Sequence, residues 1–299
     1  MAKEKDVDQV TGIETTGHEW DGIRELNNPL PKWWLWTFYA TIVWAAIYVV
    51  LYPAIPMVTQ ATGGLLGYSS RQNVMQDIEA HRIRHADRTE AIAALDIEEV
   101  AQDAELMQFA LAGGAAVFRA HCSQCHGAGA AGGVGYPNLN DDDWLWGGTR
   151  EEIYHTIAHG IRWEADWDTR VSEMPAFGAD GILSREEIDQ VVEFVWSLSN
   201  DEGWDYNLTI PGAEVYAANC ASCHGDDALG NVWLGAPNLI NGLWLYGGDR
   251  DAIRHSVHYS RAGVMPAWLG RLSEADVRKV ALYVHNLGGG LPAGAYDDQ

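Results

Sequence analysis

Two short stretches of this sequence bring together residue types that can do chemistry. The pattern Cys-x-x-Cys-His occurs at residues 122–126 and again at residues 220–224. On one helical turn, positions three and four apart share a face, so that two thiols and an imidazole converge on one object. The thiols can form thioether bonds to the vinyl groups of a haem, and the adjacent imidazole can bind the iron axially. The pattern therefore predicts two sites for covalently bound haem c, with Cys122, Cys125, His126, Cys220, Cys223 and His224 as the binding residues.

Structural disulfides and zinc are the alternatives for the same cysteines. A zinc ribbon places its Cys-x-x-Cys pairs about 15–20 residues apart, whereas Cys125 and Cys220 are 95 positions apart (220 − 125 = 95). Each pair also has its own histidine, and the two pairs use all four cysteines of the chain. A thioredoxin-like redox motif would explain neither the histidine nor the duplication. Haem attachment is the interpretation that accounts for every residue of the pattern.

A six-coordinate haem iron needs a second axial ligand. Among six methionines, only Met174 and Met265 follow a Cys-x-x-Cys-His motif, and each precedes a proline in a polar, loop-like stretch. Histidine–methionine ligation raises the reduction potential, which suits electron transfer. We therefore predict His126, Met174, His224 and Met265 as the iron ligands. Bis-histidine ligation is the alternative, and its candidates are His155, His159, His255 and His258.

The composition favours some partners over others. With 42 acidic and 19 basic residues the formal net charge is −23, so nucleic acid is not an expected partner, because phosphate binding needs clustered Lys and Arg. The acidity is typical of a well-solvated surface or of a docking field for a basic protein. Residues 141–143, three consecutive aspartates, are a hypothetical docking point for a basic electron donor.

One stretch near the N-terminus is apolar enough to cross a membrane. No charged residue occurs from Trp33 to Ser70, and the unbroken run over 33–51 would form a helix about 28 Å long, close to the roughly 30 Å of a bilayer core. The run is too long for a cleaved signal peptide, and the segment before it is acidic. We predict one transmembrane anchor over 33–58, an N-terminal segment over 1–32 whose first 20 residues form a flexible tail, and a linker over 59–103.

The rest of the chain is duplicated. Gly114 and Phe118 recur as Gly212 and Tyr216, and a Pro-Asn-Leu triplet at 137–139 recurs at 237–239. A Met-Pro pair and a helix with an N-terminal capping box follow in both copies. A length of 299 residues agrees with about two domains. The sequence thus predicts a mainly α protein, with one transmembrane helix and tandem domains over 104–200 and 201–299.

These repeated fragments resemble class I cytochromes c, which are small all-α domains around one haem. The resemblance implies that the Gly-x-x-x-aromatic helix crosses the C-terminal helix, and that the carbonyls of Pro137 and Pro237 accept from the iron-bound imidazoles. The simple expectation is that each methionine serves the haem of its own domain. Two similar domains in contact could instead exchange their methionines, and this alternative stays open.

The N-terminal part of the chain makes the resemblance more specific. The stretch over 21–36, with Asn-Asn-Pro-Leu-Pro-Lys-Trp-Trp at its centre, then a membrane anchor and two cytochrome c domains, resembles the dihaem subunit III (CcoP/FixP) family of cbb3-type cytochrome c oxidases. The resemblance implies a subunit that is not catalytic by itself. It would relay electrons from a donor cytochrome c to the monohaem c subunit and the haem–copper subunit that reduces oxygen.

The same resemblance implies a location and leaves two other classes of protein open. Haem c in this family is attached on the outer side of the bacterial inner membrane, so residues 1–32 would be cytoplasmic and the haem domains periplasmic. The alternatives are a dihaem subunit of a periplasmic dehydrogenase and a haem-based sensor of diatomic gases.

Overall fold

The computed structural model describes residues 6–296. The chain divides into two compact units, with the boundary between Ile83 and Arg84. The first unit begins with an antiparallel hairpin of β1 (Thr15–Trp20) and β2 (Ile23–Leu26). Its two-residue turn is Asp21-Gly22, and both residues have positive φ, at 50° and 83°, as a type I′ turn requires. The prediction of a flexible tail over residues 1–20 is therefore wrong for Thr15–Trp20, which form β1. Residues 1–5 lie outside the described part of the chain.

The apolar run forms helix α1 (Lys32–Leu51), which has no buried residue and is long enough to cross a membrane. At 1.5 Å per residue it is about 30 Å long. Its C-terminal end is closed by the following loop, because the backbone N–H groups of Leu65 and Leu66 donate to the carbonyls of Val50 and Leu51 at 3.0 and 3.1 Å. Helix α2 (Ser70–Arg84) follows.

The second unit is helical in its described secondary structure, and its helices have the following bounds. They are α3 (Ala86–Ala94), α4 (Ile97–Gln102), α5 (Ala104–Val117), α6 (Ser123–His126), α7 (Arg150–His159), α8 (Arg185–Leu198), α9 (Tyr206–Asn219), α10 (Ala221–His224), α11 (Arg250–Tyr259) and α12 (Glu274–His285). A single π-helical turn, Phe118–Cys122, joins α5 to α6. The capping boxes predicted at the last helix of each copy begin α8 at Ser184 and cap α12 at Ser273, whose side chain accepts from the Asp276 N–H.

The two copies exchange their last helices. Helix α12, from the second copy, packs on α5 and α7 of the first, whereas α8, from the first copy, packs on α9 and α11 of the second. We call the resulting clusters of buried residues the first core, around the motif at 122–126, and the second core, around the motif at 220–224. Residues 104–200 and 201–299 are therefore sequence repeats that do not each enclose a core.

Glycines mark the helix crossings. A Cβ at Gly114 would overlap the backbone carbonyl of Lys279 on α12, and a Cβ at Gly212 would overlap that of Gln190 on α8. The aromatic residues four positions on complete each crossing, and the ring of Phe118 lies 5.6 Å from that of Tyr283. The predicted crossing of a Gly-x-x-x-aromatic helix with a C-terminal helix occurs, but each helix crosses its counterpart from the other copy.

The predicted linker over 59–103 is also corrected in its last part. Ile92 and Val100 are fully buried in the first core, and Ile97 is nearly so. Their side chains pack against the core that α5 and α12 form, because α3 and α4 carry apolar residues on the face turned toward those helices.

Candidate functional site

Each Cys-x-x-Cys-His motif ends in a short helix that a glycine terminates. Helices α6 and α10 stop at Gly127 and Gly225, whose φ values are 80° and 83°, a conformation that glycine adopts at little cost. The loop after each glycine then returns to the helix end, since the N–H of Gly132 donates to the His126 carbonyl at 2.9 Å. The same bond joins Gly230 to His224 at 2.8 Å. The loops thus hold both histidines in one conformation.

The two histidines have the same hydrogen-bond partner in the two copies. Nδ1 of His126 lies 3.2 Å from the carbonyl of Pro137, and Nδ1 of His224 lies 3.0 Å from that of Pro237. Because a carbonyl can only accept, Nδ1 carries the proton and Nε2 keeps its lone pair for a metal. Burial lowers the pKa of both imidazoles, although the proline carbonyls partly oppose this shift. Each histidine is therefore a neutral, oriented candidate ligand.

None of the four cysteines forms a disulfide, so the disulfide alternative has no support. Cys125 and Cys223 are exposed. Burial, followed by the neighbouring cysteine, raises the pKa of Cys122 and of Cys220 to about 11. Cys122 packs against the first core and Cys220 against the second, so the four thiols are not arranged around a single zinc ion.

A large cavity opens beside the second motif. Its empty volume, including the mouth open to solvent, is about 1420 Å³. The walls are mainly apolar and include Cys220, Cys223 and His224. Among the residues that line it, His224 is the only histidine. The donor set and the apolar walls fit a haem held by two thioethers and an imidazole.

The methionine in this cavity comes from the first copy. Met174 lines the cavity with His224 and packs against the second core. Met265, from the second copy, packs against the first core together with Cys122. Its backbone is fixed there by a pair of hydrogen bonds with Ile161 at 2.9 and 3.0 Å. Each methionine therefore lies beside the motif of the other copy, and this placement follows from the exchange of the helices.

The alternative histidines have other surroundings. Nδ1 of His159 lies 3.1 Å from an oxygen of Asp166, and the ring of His155 stacks beside that of His159 at 4.8 Å. His255 and His258 both contact the ring of Tyr259. None of these four lines the cavity beside His224. Bis-histidine ligation therefore has no support at the second motif.

The aspartates at 141–143 are only partly available as a docking surface. Asp143 is half-buried and accepts a hydrogen bond from Nδ2 of Asn241, in the other copy, at 2.8 Å. Burial raises the pKa of Asp143 and of Asp141. Asp142 is exposed. The structure thus gives Asp143 a role in joining the two copies, which the sequence pattern did not indicate.

Two arginines beside the second motif were also missed by sequence reasoning. Arg162 and Arg261 line the cavity with His224. Arg162 belongs to the first copy and reaches this cavity only because the copies are interleaved. The signal for Arg261 is present in the sequence, since it follows α11 as Arg170 follows α7, but nothing in the pattern assigns it a position beside a haem.

The fold and these sites define a cytochrome c-type protein, with two attachment motifs in a shared helical unit and a membrane-spanning candidate helix near the N-terminus. Comparison with protein families gives a more specific result. Residues 12–59 match the N-terminal domain of cytochrome oxidase-cbb3, FixP, and residues 109–195 and 208–284 match subunit III of cbb3-type cytochrome c oxidase.

Curated relatives agree over nearly the whole chain. A cbb3-type cytochrome c oxidase subunit CcoP from Cereibacter sphaeroides is 55% identical over 276 residues, covering 92% of this chain and 95% of the relative. A subunit FixP from Sinorhizobium medicae is 54% identical over 288 residues, covering 96% and 99%. The chain belongs to the subunit III family of cbb3-type cytochrome c oxidases. It is an electron-transfer subunit of that oxidoreductase, it binds haem c, and its apolar helix fits a membrane anchor, as the sequence analysis predicted.

Proposed function

We propose that this chain holds one haem c at each motif and relays electrons within the oxidase. The observation that carries the proposal is the repeated geometry of a Cys-x-x-Cys-His turn, whose histidine Nδ1 lies 3.0–3.2 Å from a proline carbonyl. Family membership supports the presence of haem c, and the duplication supports the number two. A dehydrogenase subunit or a gas sensor has no comparable support, because the relatives carry the name of oxidase subunits.

The proposed ligands follow the two cores. Cys220 and Cys223 form the thioethers at the second motif, His224 is one axial ligand, and Met174 of the first copy is the other. At the first motif the corresponding residues are Cys122, Cys125, His126 and Met265. The shared cavity of Met174 and His224 supports the first assignment, and the packing of Met265 and Cys122 against the same core supports the second.

The bound haem supplies a reversible one-electron couple, and the chain positions and tunes it. The proline carbonyls orient the two imidazoles and increase their basicity. The methionine thioethers raise the reduction potential. The walls of the cavity beside His224 are mainly apolar, so a haem held there would lie in a medium of lower dielectric constant than water.

The partners and the orientation are part of the proposal. Electrons arrive from a donor cytochrome c and leave toward the monohaem c subunit and the haem–copper subunit of the oxidase. Residues 1–32 lie in the cytoplasm, α1 crosses the bacterial inner membrane once, and the second unit lies in the periplasm. The attachment of haem c outside the inner membrane, which the family resemblance implies, supports this orientation.

Haem stoichiometry tests the proposal. The full chain, purified in detergent, is denatured, and haem-linked peroxidase activity is followed on the polypeptide. We expect two haems per chain that resist acid–acetone extraction, and one haem in each of two variants, Cys122→Ser/Cys125→Ser and Cys220→Ser/Cys223→Ser. Release of the haem into acid acetone would overturn the proposal. Protease treatment of spheroplasts tests the orientation, since only the second unit should be digested.

A further inference from the structure

The two copies place an arginine in the same way on the aromatic ring that follows the Pro-Asn-Leu loop. Cζ of Arg170 lies 5.5 Å from the centroid of Trp146, and Cζ of Arg261 lies 5.2 Å from the centroid of Tyr246. Ile161 pairs with Arg170 on one side and with Met265 on the other, so one backbone segment separates Arg170 from the methionine of the first core. Arg261 lines the cavity of the second motif. The two arginines are counterparts at the two sites.

The two arginines differ in their ion-pair partner. The position that carries Glu152 in the first copy carries Ala252 in the second. In the first copy the carboxylate of Glu152 forms an ion pair with Arg170, and the two side chains are only 22% and 11% exposed. In the second copy Arg261 donates to the carbonyls of Tyr246 and Ala252 at 3.1 and 2.7 Å. Its Nε is buried without a hydrogen-bond partner. The first arginine is neutralised and the second is not.

A second cation strengthens this difference. Arg162 donates to the carbonyls of Gly263 and Ser172 at 2.7 and 2.8 Å, and burial lowers its pKa. Among the described residues, neither Arg162 nor Arg261 has a carboxylate within 4.0 Å. Glu173 also lines the cavity, but its side chain is exposed, and water screens an exposed charge. Two guanidinium groups thus face the second site with neutral oxygens as their bonded partners.

We propose that this difference gives the haem at the second motif the higher midpoint reduction potential of the two. The inference rests on the proposed function, since it needs a haem at each motif. Reduction adds one electron from the donor to ferric iron, giving ferrous iron, and neither breaks a bond nor moves a proton. A nearby cation in a medium of low dielectric constant favours the reduced form, whereas an ion pair is neutral as a whole. Electrons that enter the chain therefore collect at the second haem.

The substitution Ala252→Glu supplies the missing carboxylate and tests the proposal directly. Spectroelectrochemical titration of the full chain in detergent should resolve two one-electron components. We expect Ala252→Glu to lower the midpoint of the higher component, with a three- to tenfold change in the ratio of reduced to oxidised haem, equivalent to roughly 30–59 mV. Ala252→Gln, of similar bulk and no charge, is the matched control and should shift it much less.

The reciprocal variant is Glu152→Gln, which leaves Arg170 without its partner. We expect it to raise the midpoint of the lower component and to leave the higher component in place. Glu151→Gln removes the same charge from an exposed position on the same helix and should have little effect. A purely structural role for these residues would not give shifts of opposite sign.

Three results would overturn the inference. The first is an equal shift in Ala252→Glu and Ala252→Gln, which would assign the effect to bulk. The second is a response of the wrong component, with Ala252→Glu moving the lower midpoint or Glu152→Gln the higher one. The third is that neither midpoint moves. Haem staining of every variant separates this failure from a failure of the proposed function. Two attached haems with unmoved potentials reject only the inference, whereas missing haems reject the function.

Discussion

The first and second cores follow one plan but enclose their motifs to different degrees. Among the residues that the structure describes, the first core has sixteen buried residues, and three of them, Ile92, Ile97 and Val100, come from helices that precede the repeat. The second core has eleven such residues, and none of them precedes Phe177. The two copies of the repeat therefore do not have equivalent cores, because helices α3 and α4, which precede the first copy, also pack on the first core.

The comparison also shows that the cores depend on each other. The first core takes α12 from the second copy, and the second core takes α8 from the first. Six of the sixteen buried residues of the first core lie in the segment 275–284. Neither core is complete without a helix from the other copy, so the unit from Arg84 onward should fold as a whole.

Removal of the second copy should have the largest effect. A chain ending at residue 200 keeps the first motif but lacks α12, so its first core should not form and a haem attached there should have no methionine ligand. The spectrum of the reduced protein and its resistance to protease measure this outcome. Co-expression of residues 201–299 as a separate chain is the control and should restore both. A shortened chain with a protease-resistant, six-coordinate haem would show that each copy folds alone.

Loss of one methionine should affect the haem of the other copy. In a Cys122→Ser/Cys125→Ser background only the haem at the second motif remains. We expect Met174→Leu to open an axial position there, so that CO strongly shifts the reduced spectrum. Met265→Leu, the matched control, should leave that spectrum insensitive to CO. The opposite pattern would return each methionine to its own copy.

The packing of α3 on the first core can be weakened separately by a substitution at Ile92. Ile92→Ala removes a fully buried side chain and should lower the free energy of unfolding by about 2–5 kcal/mol, since a cavity remains. Denaturant titration of the full chain, followed at the haem absorbance, measures the change. Ile83→Ala, at a position 63% exposed, is the control and should stay within about 0.5 kcal/mol. Equal effects would mean that α3 is a spacer, as the sequence analysis predicted.

The smallest expected effect on the free energy of unfolding comes from the ion pairs formed by Arg150 and Arg250, the first residues of α7 and α11. Arg250 pairs with buried Glu193 at 2.6 Å, and Arg150 pairs with the more exposed Glu98 at 2.7 Å. Glu193→Gln should cost about 1–2 kcal/mol at neutral pH, less than a fully buried pair because Arg250 is 36% exposed. Glu98→Gln should cost less than about 1 kcal/mol.

The pH dependence of Glu193→Gln gives a check on its cause. The hydrogen bond from Arg250 holds the pKa of Glu193 below its ordinary value. A carboxyl whose pKa is lowered by folding contributes stability above its unfolded pKa and loses that contribution as the pH falls through the folded value. The difference between wild type and Glu193→Gln should therefore shrink in acid. A difference that stayed constant down to low pH would rule out the ion pair as its source.

Much of the local chemistry could be predicted from the sequence. The motifs, the transmembrane candidate and the capped helices each depend on residues within about twenty positions of each other, where spacing alone determines which groups meet. The proline carbonyl partners were implied by the family resemblance. The hairpin at 15–26 was missed because its strands are short and its polar and apolar residues follow no regular alternation. The Asp21-Gly22 turn was the available signal.

The sequence by itself determined the two motifs, the four candidate iron ligands and the order of the helices. The tertiary structure decided which partners meet, since both copies carry the same apolar stripe and the same glycine crossing, and either pairing of helices satisfies that pattern. It therefore also decided that Met174 lies with His224, that Arg162 reaches the second site, and that Ala252 leaves Arg261 without a carboxylate. These are long-range contacts, and a repeated local pattern carries no information that distinguishes one copy's helix from the other's.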